Sequence, residues 1–185
     1  MRWIAALPLL ALIACAPEAG KEAAPEPVEA EAPAPARPSV NLDASGITVP
    51  LQPGSELIEV PFGTARAEVE NALASALGSI KDRGANTECP AGPVSTTVYD
   101  GIVLNFQSDK FVGWLADGGD YVPAMARKEL AANSGGGLIA VEGSSLGAEY
   151  YLGKAGDPVI SFLFDGPGEA ARVTRLWAGT NCILR

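Results

Sequence analysis

The sequence predicts an α+β protein: two tandem helix-plus-antiparallel-sheet units, residues 46–118 and 119–185, joined by a disulfide. Three observations predict it. A helical pattern followed by a β-hairpin pattern occurs twice, with matched positions 61–63 residues apart. Each unit carries one cysteine, Cys89 and Cys182. The composition changes sharply at Cys15 and again after Pro38, which sets both units apart from the N-terminal region.

The N-terminal region reads as an address. Arg2 supplies one positive charge, Trp3–Leu12 is nearly all apolar, and the run ends in Ile13-Ala14-Cys15. That order is a secretory signal peptide over residues 1–14. The run is about a dozen residues, against roughly 20 for a spanning helix, so a membrane-crossing segment is the weaker reading. Ala16–Pro38, "APEAGKEAAPEPVEAEAPAPARP", has no aromatic residue and one valine. It has too little apolar surface to offset its ordering entropy, and its prolines favour an extended spacer of on the order of 70 Å. Residues 15–45 are thus a linker carrying Cys15 at its head.

Charge and residue inventory exclude several function classes. Without Arg2 the chain has 12 basic and 22 acidic residues, net −10, and beyond Gly46 it is still net −6. No Lys/Arg run occurs, which argues against nucleic acid, because that binding rests on phosphate neutralisation. There is no histidine, so Ser-His-Asp and Cys-His pairs and the usual zinc sites are out. Nothing in the chain asks for a cofactor or a metal.

"GTARAEVENALASALG" (63–78) is the clearest helix, with Val69, Leu73, Ala76 and Leu77 on one face, Thr64 as the expected N-cap and Gly78 as the stop. Residues 79–97 read as a loop-rich stretch around Cys89. Ile102, Leu104 and Phe106 alternate and Gln107–Lys110 is turn chemistry, so a hairpin is expected through Ala116. Phe111 and Leu115 are expected on one face, with Val112 and Trp114 on the other. In the second unit, "AMARKELAANS" lies over the first helix, Arg127 and Glu129 matching Arg66 and Glu68. "EGSSLGAEYYLG" supplies a strand, and "VISFLFDGPGEAARVTRLWAG" a hairpin ending near Trp177 as the first ends near Trp114. The fixed offset suggests internal duplication.

Two cysteines in an oxidising compartment most simply pair. A Cys89–Cys182 bridge closing more than 90 residues would stabilise by about 4–5 kcal/mol in the chain-entropy model. Free thiols or metal ligation are the competing readings. "DGGD" (Asp117–Asp120) lacks the alternating ligands of a calcium loop and reads as a turn. "NSGGG" (Asn133–Gly137) has no following Lys-Ser/Thr and reads as a helix end. Trp114 and Trp177 read first as core, with a candidate interface as the alternative, and one of Tyr150 and Tyr151 must face outward on an alternating strand.

Leu12-Ile13-Ala14-Cys15 resembles the lipobox of bacterial lipoproteins. The resemblance implies cleavage before Cys15, lipidation of its thiol and acylation of the new amino group, and Ala16 in place of Asp implies the outer membrane. The signal, "G-T-x-R-x-E-V-x-x-x-L" and the hairpin "GIVLNFQSDKFVGW" resemble small outer-membrane lipoproteins of the SmpA/BamE type, and the duplicated fold of β-lactamase inhibitor protein. "VTRLWAGTNCILR" resembles the ending of alphaproteobacterial lipoproteins. The SmpA/BamE type has one unit, and the inhibitor protein is soluble, so no residue role is carried over. The function expected is a lipid-anchored, non-catalytic protein-binding or scaffold module at the periplasmic face of the outer membrane. Its membrane contact is the lipid on Cys15; its partner is an envelope protein; its candidate interface residues are Trp114, Tyr150 and Trp177. The alternatives are a glycan-acting enzyme using two of Asp100, Asp117, Asp120, Glu142 and Glu149, or an inhibitor of a periplasmic hydrolase.

Overall fold

The computed structural model describes residues 40–50, 56–154 and 156–183. The expected signal peptide, Cys15 and the expected linker as far as residue 39 lie outside the described residues. Three strands come first, β1 (Asn41–Asp43), β2 (Gly46–Pro50) and β3 (Leu57–Pro61), paired antiparallel in that order. Helix α1 (Arg66–Leu77) follows, then β4 (Asp82–Asn86), β5 (Val94–Val98), β6 (Ile102–Gln107) and β7 (Lys110–Ala116). After a single 3-10 turn at Gly119–Tyr121 come α2 (Arg127–Asn133), β8 (Leu138–Ala140), β9 (Ala148–Leu152), β10 (Ile160–Phe164) and β11 (Val173–Gly179).

The expected pair of separate helix-plus-sheet units is not what forms. β4 to β11 make one eight-stranded antiparallel sheet in the order β4-β5-β6-β7-β11-β10-β9-β8. Its centre is the pairing of β7 with β11, from Leu176↔Ala116 to Gly179↔Gly113. A strand edge left open in each half would expose a row of unpaired N–H and C=O groups. Joining β7 to β11 satisfies both edges and makes the seam a hydrogen-bonded ladder. That ladder joins the halves directly, backbone to backbone. The chain is mainly antiparallel sheet, with two short α-helices among the described residues.

One core serves both halves. Register places Ile102, Leu104 and Phe106 opposite Ala116, Trp114 and Phe111, and these beside Leu176 and Ala178. The same side continues through Phe162 and Phe164. Val69, Leu73, Ala76 and Leu77 of α1 and Ile47, Val49 and Val60 of the small sheet pack with them in a single cluster. Leu104, Phe106, Phe111 and Trp114 retain no exposure, and each such side chain stabilises by about 1.5–3 kcal/mol on burial. We call this the inner face of the large sheet.

Several elements depart from expectation for local reasons. The N-cap of α1 is Ala65, without a side-chain cap; Thr64 instead donates its hydroxyl to Pro61 O at 2.8 Å. The orphan amides find the hairpin: Arg66 N–H donates to Asp109 O at 2.8 Å, and Ala65 bridges Lys110. Ser108 and Asp109 both have positive φ, 48° and 58°, the geometry of a two-residue type I′ hairpin turn. Phe106 pairs Phe111 while Asn105 pairs Gly113, so Val112 is an extra, bulged residue. The bulge puts Phe111 and Trp114 on the same side and sends Leu115 to the other, which reverses the alternation read from sequence. Gly78 ends α1 at φ 76° as expected.

Candidate functional site: the outer face of the sheet

The opposite side of the large sheet carries the feature most open to a partner. Following the register from strand to strand, Val98, Val103, Leu115, Trp177, Ser161, Tyr151 and Ile139 form one row. It takes one residue from each of seven strands, β5 to β8 across the sheet, and six of the seven are apolar or aromatic. At about 4.8 Å between strands the row is roughly 30 Å long. None of its members belongs to the central core cluster or to the residues packed against it. Ile139 is 42% exposed, while Val98, Val103, Leu115 and Tyr151 are half-buried. Trp177 and Ser161 are covered at the middle of the row.

A cavity of about 500 Å³ lies beside Trp177, lined among others by Phe62, Val112, Val159, Ile183, Ser161 and Asn181. Its walls mix apolar side chains with polar groups, among them the Ser161 and Thr180 hydroxyls and the Asn181 amide. The glycines at the seam below it are required by close approach. A Cβ on Gly113 would overlap the Thr180 carbonyl and lie 2.8 Å from Thr180 N. Gly179, at φ 69°, is packed against Phe62.

The tail beyond β11 is steered across this face. Thr180 N–H donates to Val112 O at 2.7 Å. Asn105 Nδ2 donates to Asn181 Oδ1 at 2.6 Å, and Asn86 Nδ2 donates to Cys182 Sγ at 3.1 Å. Cys89, buried in the turn between β4 and β5, is within side-chain hydrogen-bonding reach of Cys182, and that bond is the leading cause that pushes the Cys182 thiol up from its ordinary value. Both cysteines are free thiols in this structure.

The residues singled out from sequence separate cleanly. Trp114 is fully buried on the inner face, and its indole N–H donates to Asp43 O at 2.9 Å and Gly46 O at 3.1 Å. It ties the small sheet to the large one and offers nothing to a partner. Tyr150 also faces inward, edge-on to Phe164 at 5.4 Å and beneath the Arg127 guanidinium at 5.0 Å. Its neighbour Tyr151 takes the outward position. Trp177 is on the outer face, 4% exposed. Of the two alternating tyrosines the outward one is thus Tyr151; Leu115 and Ile139 were not singled out as interface residues.

The carboxylates of the enzyme alternative lie apart in the cavities described. Asp120 lines a cavity with Asp43 and Glu59, and Glu149 lines another with Asp165. Asp117 faces Arg175 at 4.0 Å. Glu149 is buried and accepts from the Ser144 hydroxyl at 2.5 Å; Asp100 and Glu142 are exposed. Among the described residues no group of three or more His, Cys, Asp or Glu is placed to hold a metal ion, and no helix is long and apolar enough to cross a membrane.

A polar network beneath α1 is structural. Arg66 stacks 4.1 Å from the centroid of Phe106 and donates to Thr97 at 3.1 Å and to Ser95. Glu70 accepts from Thr97 at 2.7 Å and from Arg83 at 2.8 Å. Burial works to raise the Glu70 carboxyl, but the hydrogen bonds from Arg83 and Thr97 and the charges of Arg83 and Arg66 outweigh it, so Glu70 titrates below its ordinary value. Burial pushes the Tyr99 hydroxyl up, with the Glu70 charge adding to it.

No protein-family model, curated protein or solved structure matches this chain.

Proposed function

We propose that this chain is a non-catalytic, lipid-anchored envelope protein that binds a protein partner through the outer face of its eight-stranded sheet. The observation that carries this reading is the row Val98–Val103–Leu115–Trp177–Ser161–Tyr151–Ile139. Partly exposed apolar and aromatic residues on both sides of a covered centre, set on a rigid ladder, are characteristic of protein-docking faces. The anchor is Cys15 in its lipobox-like context, and the Pro/Ala/Glu-rich linker gives the folded part reach above the membrane. The chain from Gly46 onward is net −6, so the complementary surface is apolar at its centre and basic at its rim, and higher salt slows the association.

The test is photocrosslinking in living cells from a reactive residue placed at position 139 or 151, with position 169 in the β10–β11 loop as control. One envelope protein captured from 139 and 151 and not from 169 is the expected result. Ile139→Lys combined with Tyr151→Lys then abolishes its recovery, and Cys15→Ala abolishes it through loss of the anchor. Wild-type recovery by the double lysine variant, with the protein correctly located, would overturn the choice of face.

A further inference from the structure

Cys89 and Cys182 are 93 positions apart in sequence, yet the two thiols lie within hydrogen-bonding reach of one another. Three polar contacts tie the tail to the large sheet, while the Asn181 amide also donates back to Ala178 O at 2.8 Å. Thr180 is bonded to β7, Asn181 to Asn105 of β6, and Cys182 to Asn86 at the end of β4. The tail therefore crosses the sheet toward its β4 edge, where Cys89 sits in the turn that Gly92 N–H closes by donating to Cys89 O at 2.9 Å. The same tail residues, Asn181 and Ile183, form one wall of the cavity beside Trp177.

We propose that Cys89 and Cys182 form a redox-controlled disulfide that clamps the tail over the outer face and holds that cavity wall in place. The oxidant is a disulfide, either of a small thiol such as glutathione or of a thiol–disulfide oxidoreductase. The Cys182 thiolate attacks one of its sulfurs, forming a mixed disulfide and releasing one thiolate that takes up a proton. The Cys89 thiolate then attacks the Cys182 sulfur, releasing the second thiol. Two protein thiols and one disulfide become one protein disulfide and two thiols, so electrons and protons balance. Cys182 is the attacking sulfur because it is half-buried while Cys89 is covered. The proposal stands whether or not the outer face binds a partner.

The experiment equilibrates the full chain carrying Cys15→Ser, which leaves Cys89 and Cys182 as its only thiols, in glutathione buffers from reducing to oxidising, then denatures it and tags free thiols with a maleimide for intact-mass measurement. Oxidation is expected to remove two tags from this parent chain with no glutathione adduct, and to leave the remaining thiol of Cys89→Ser or Cys182→Ser, made in the same parent, tagged or glutathionylated. Reduction is expected to lower the melting temperature of the parent by on the order of 10 °C, and to leave either further serine variant unchanged. Acrylamide quenching of tryptophan should rise on reduction in the parent alone as the wall loosens. Both sulfurs persisting as free thiols or as separate adducts at full oxidation would overturn the disulfide. A disulfide that forms without any change in quenching would overturn its role in the cavity wall.

Discussion

Trp114→Phe is the sharpest test of how the small sheet is held. The Trp114 ring is fully buried, and its indole N–H is shared by Asp43 O at 2.9 Å, part-buried, and Gly46 O at 3.1 Å, buried, both at the β1–β2 turn. Phenylalanine keeps an aromatic ring there but removes the donor. Leaving buried acceptors without their partner costs about 1–3 kcal/mol, and the smaller ring adds roughly 1 kcal/mol for the space it leaves. The expected loss is about 2–4 kcal/mol, or a melting temperature lower by roughly 5–15 °C for a domain of this size. Urea unfolding followed by circular dichroism should show a lower midpoint at unchanged slope. Native-state hydrogen exchange should localise the effect: the amides of Ile47 and Val49 in β2 lose protection before those of Leu104 and Phe106 in β6. A loss below about 1 kcal/mol, with protection of β2 intact, would refute the claim that this hydrogen bond fastens the two sheets.

Further outcomes follow from the seam and the network beneath α1. Gly113→Ala forces a methyl into the Thr180 backbone at the β7–β11 seam and should cost more than about 3 kcal/mol, read by chemical denaturation; near-wild-type stability would mean that the tail can move aside freely. Glu70 titrates below its unfolded value, so its stabilisation is complete above the unfolded carboxyl pKa of about 4.3 and fades as the pH falls through the folded value. Glu70→Gln should therefore flatten the acid limb of a stability-against-pH curve while leaving its neutral shape unchanged; an unchanged acid limb would remove Glu70 from the account. Ile139→Lys, on an exposed edge position, should change stability by no more than about 0.5 kcal/mol, so loss of partner recovery in that variant reports binding and not unfolding.

The helix at 66–77, the hairpin at 102–116 and the C-terminal ends of both helices were legible because each is specified locally. Val69, Leu73, Ala76 and Leu77 repeat at helical spacing, and Gly78 supplies the positive φ that stops the helix. Other elements were hidden. β4 reads DRGAN and is exposed along its whole length, so no apolar alternation marks it; it is a strand because β5 pairs with it. The bulge at Val112 was equally invisible, since an extra residue is defined only by the strand opposite, and it put Trp114 on the same face as Phe111 where simple alternation had set them apart. The outer row was half legible. The alternation of Glu149 and Tyr151 against Tyr150 and Leu152 is in the sequence, but which set faces the core depends on what packs above it.

The sequence by itself determined the composition boundaries, the apolar run that ends at Cys15, the acidic charge and the missing histidine, along with the local helix and hairpin signals. These are properties of residues and their near neighbours. Only the tertiary structure decided that β7 and β11 join two meanders into one sheet, that Trp114 and Tyr150 turn inward while Trp177 and Tyr151 turn outward, and that Cys182 arrives at Cys89. The reason is physical. A strand edge can be satisfied by any partner of matching direction, and the side of the sheet that becomes the core is set by which helix and which sheet come to cover it. Those choices are made between segments dozens of residues apart, where spacing along the chain carries no information.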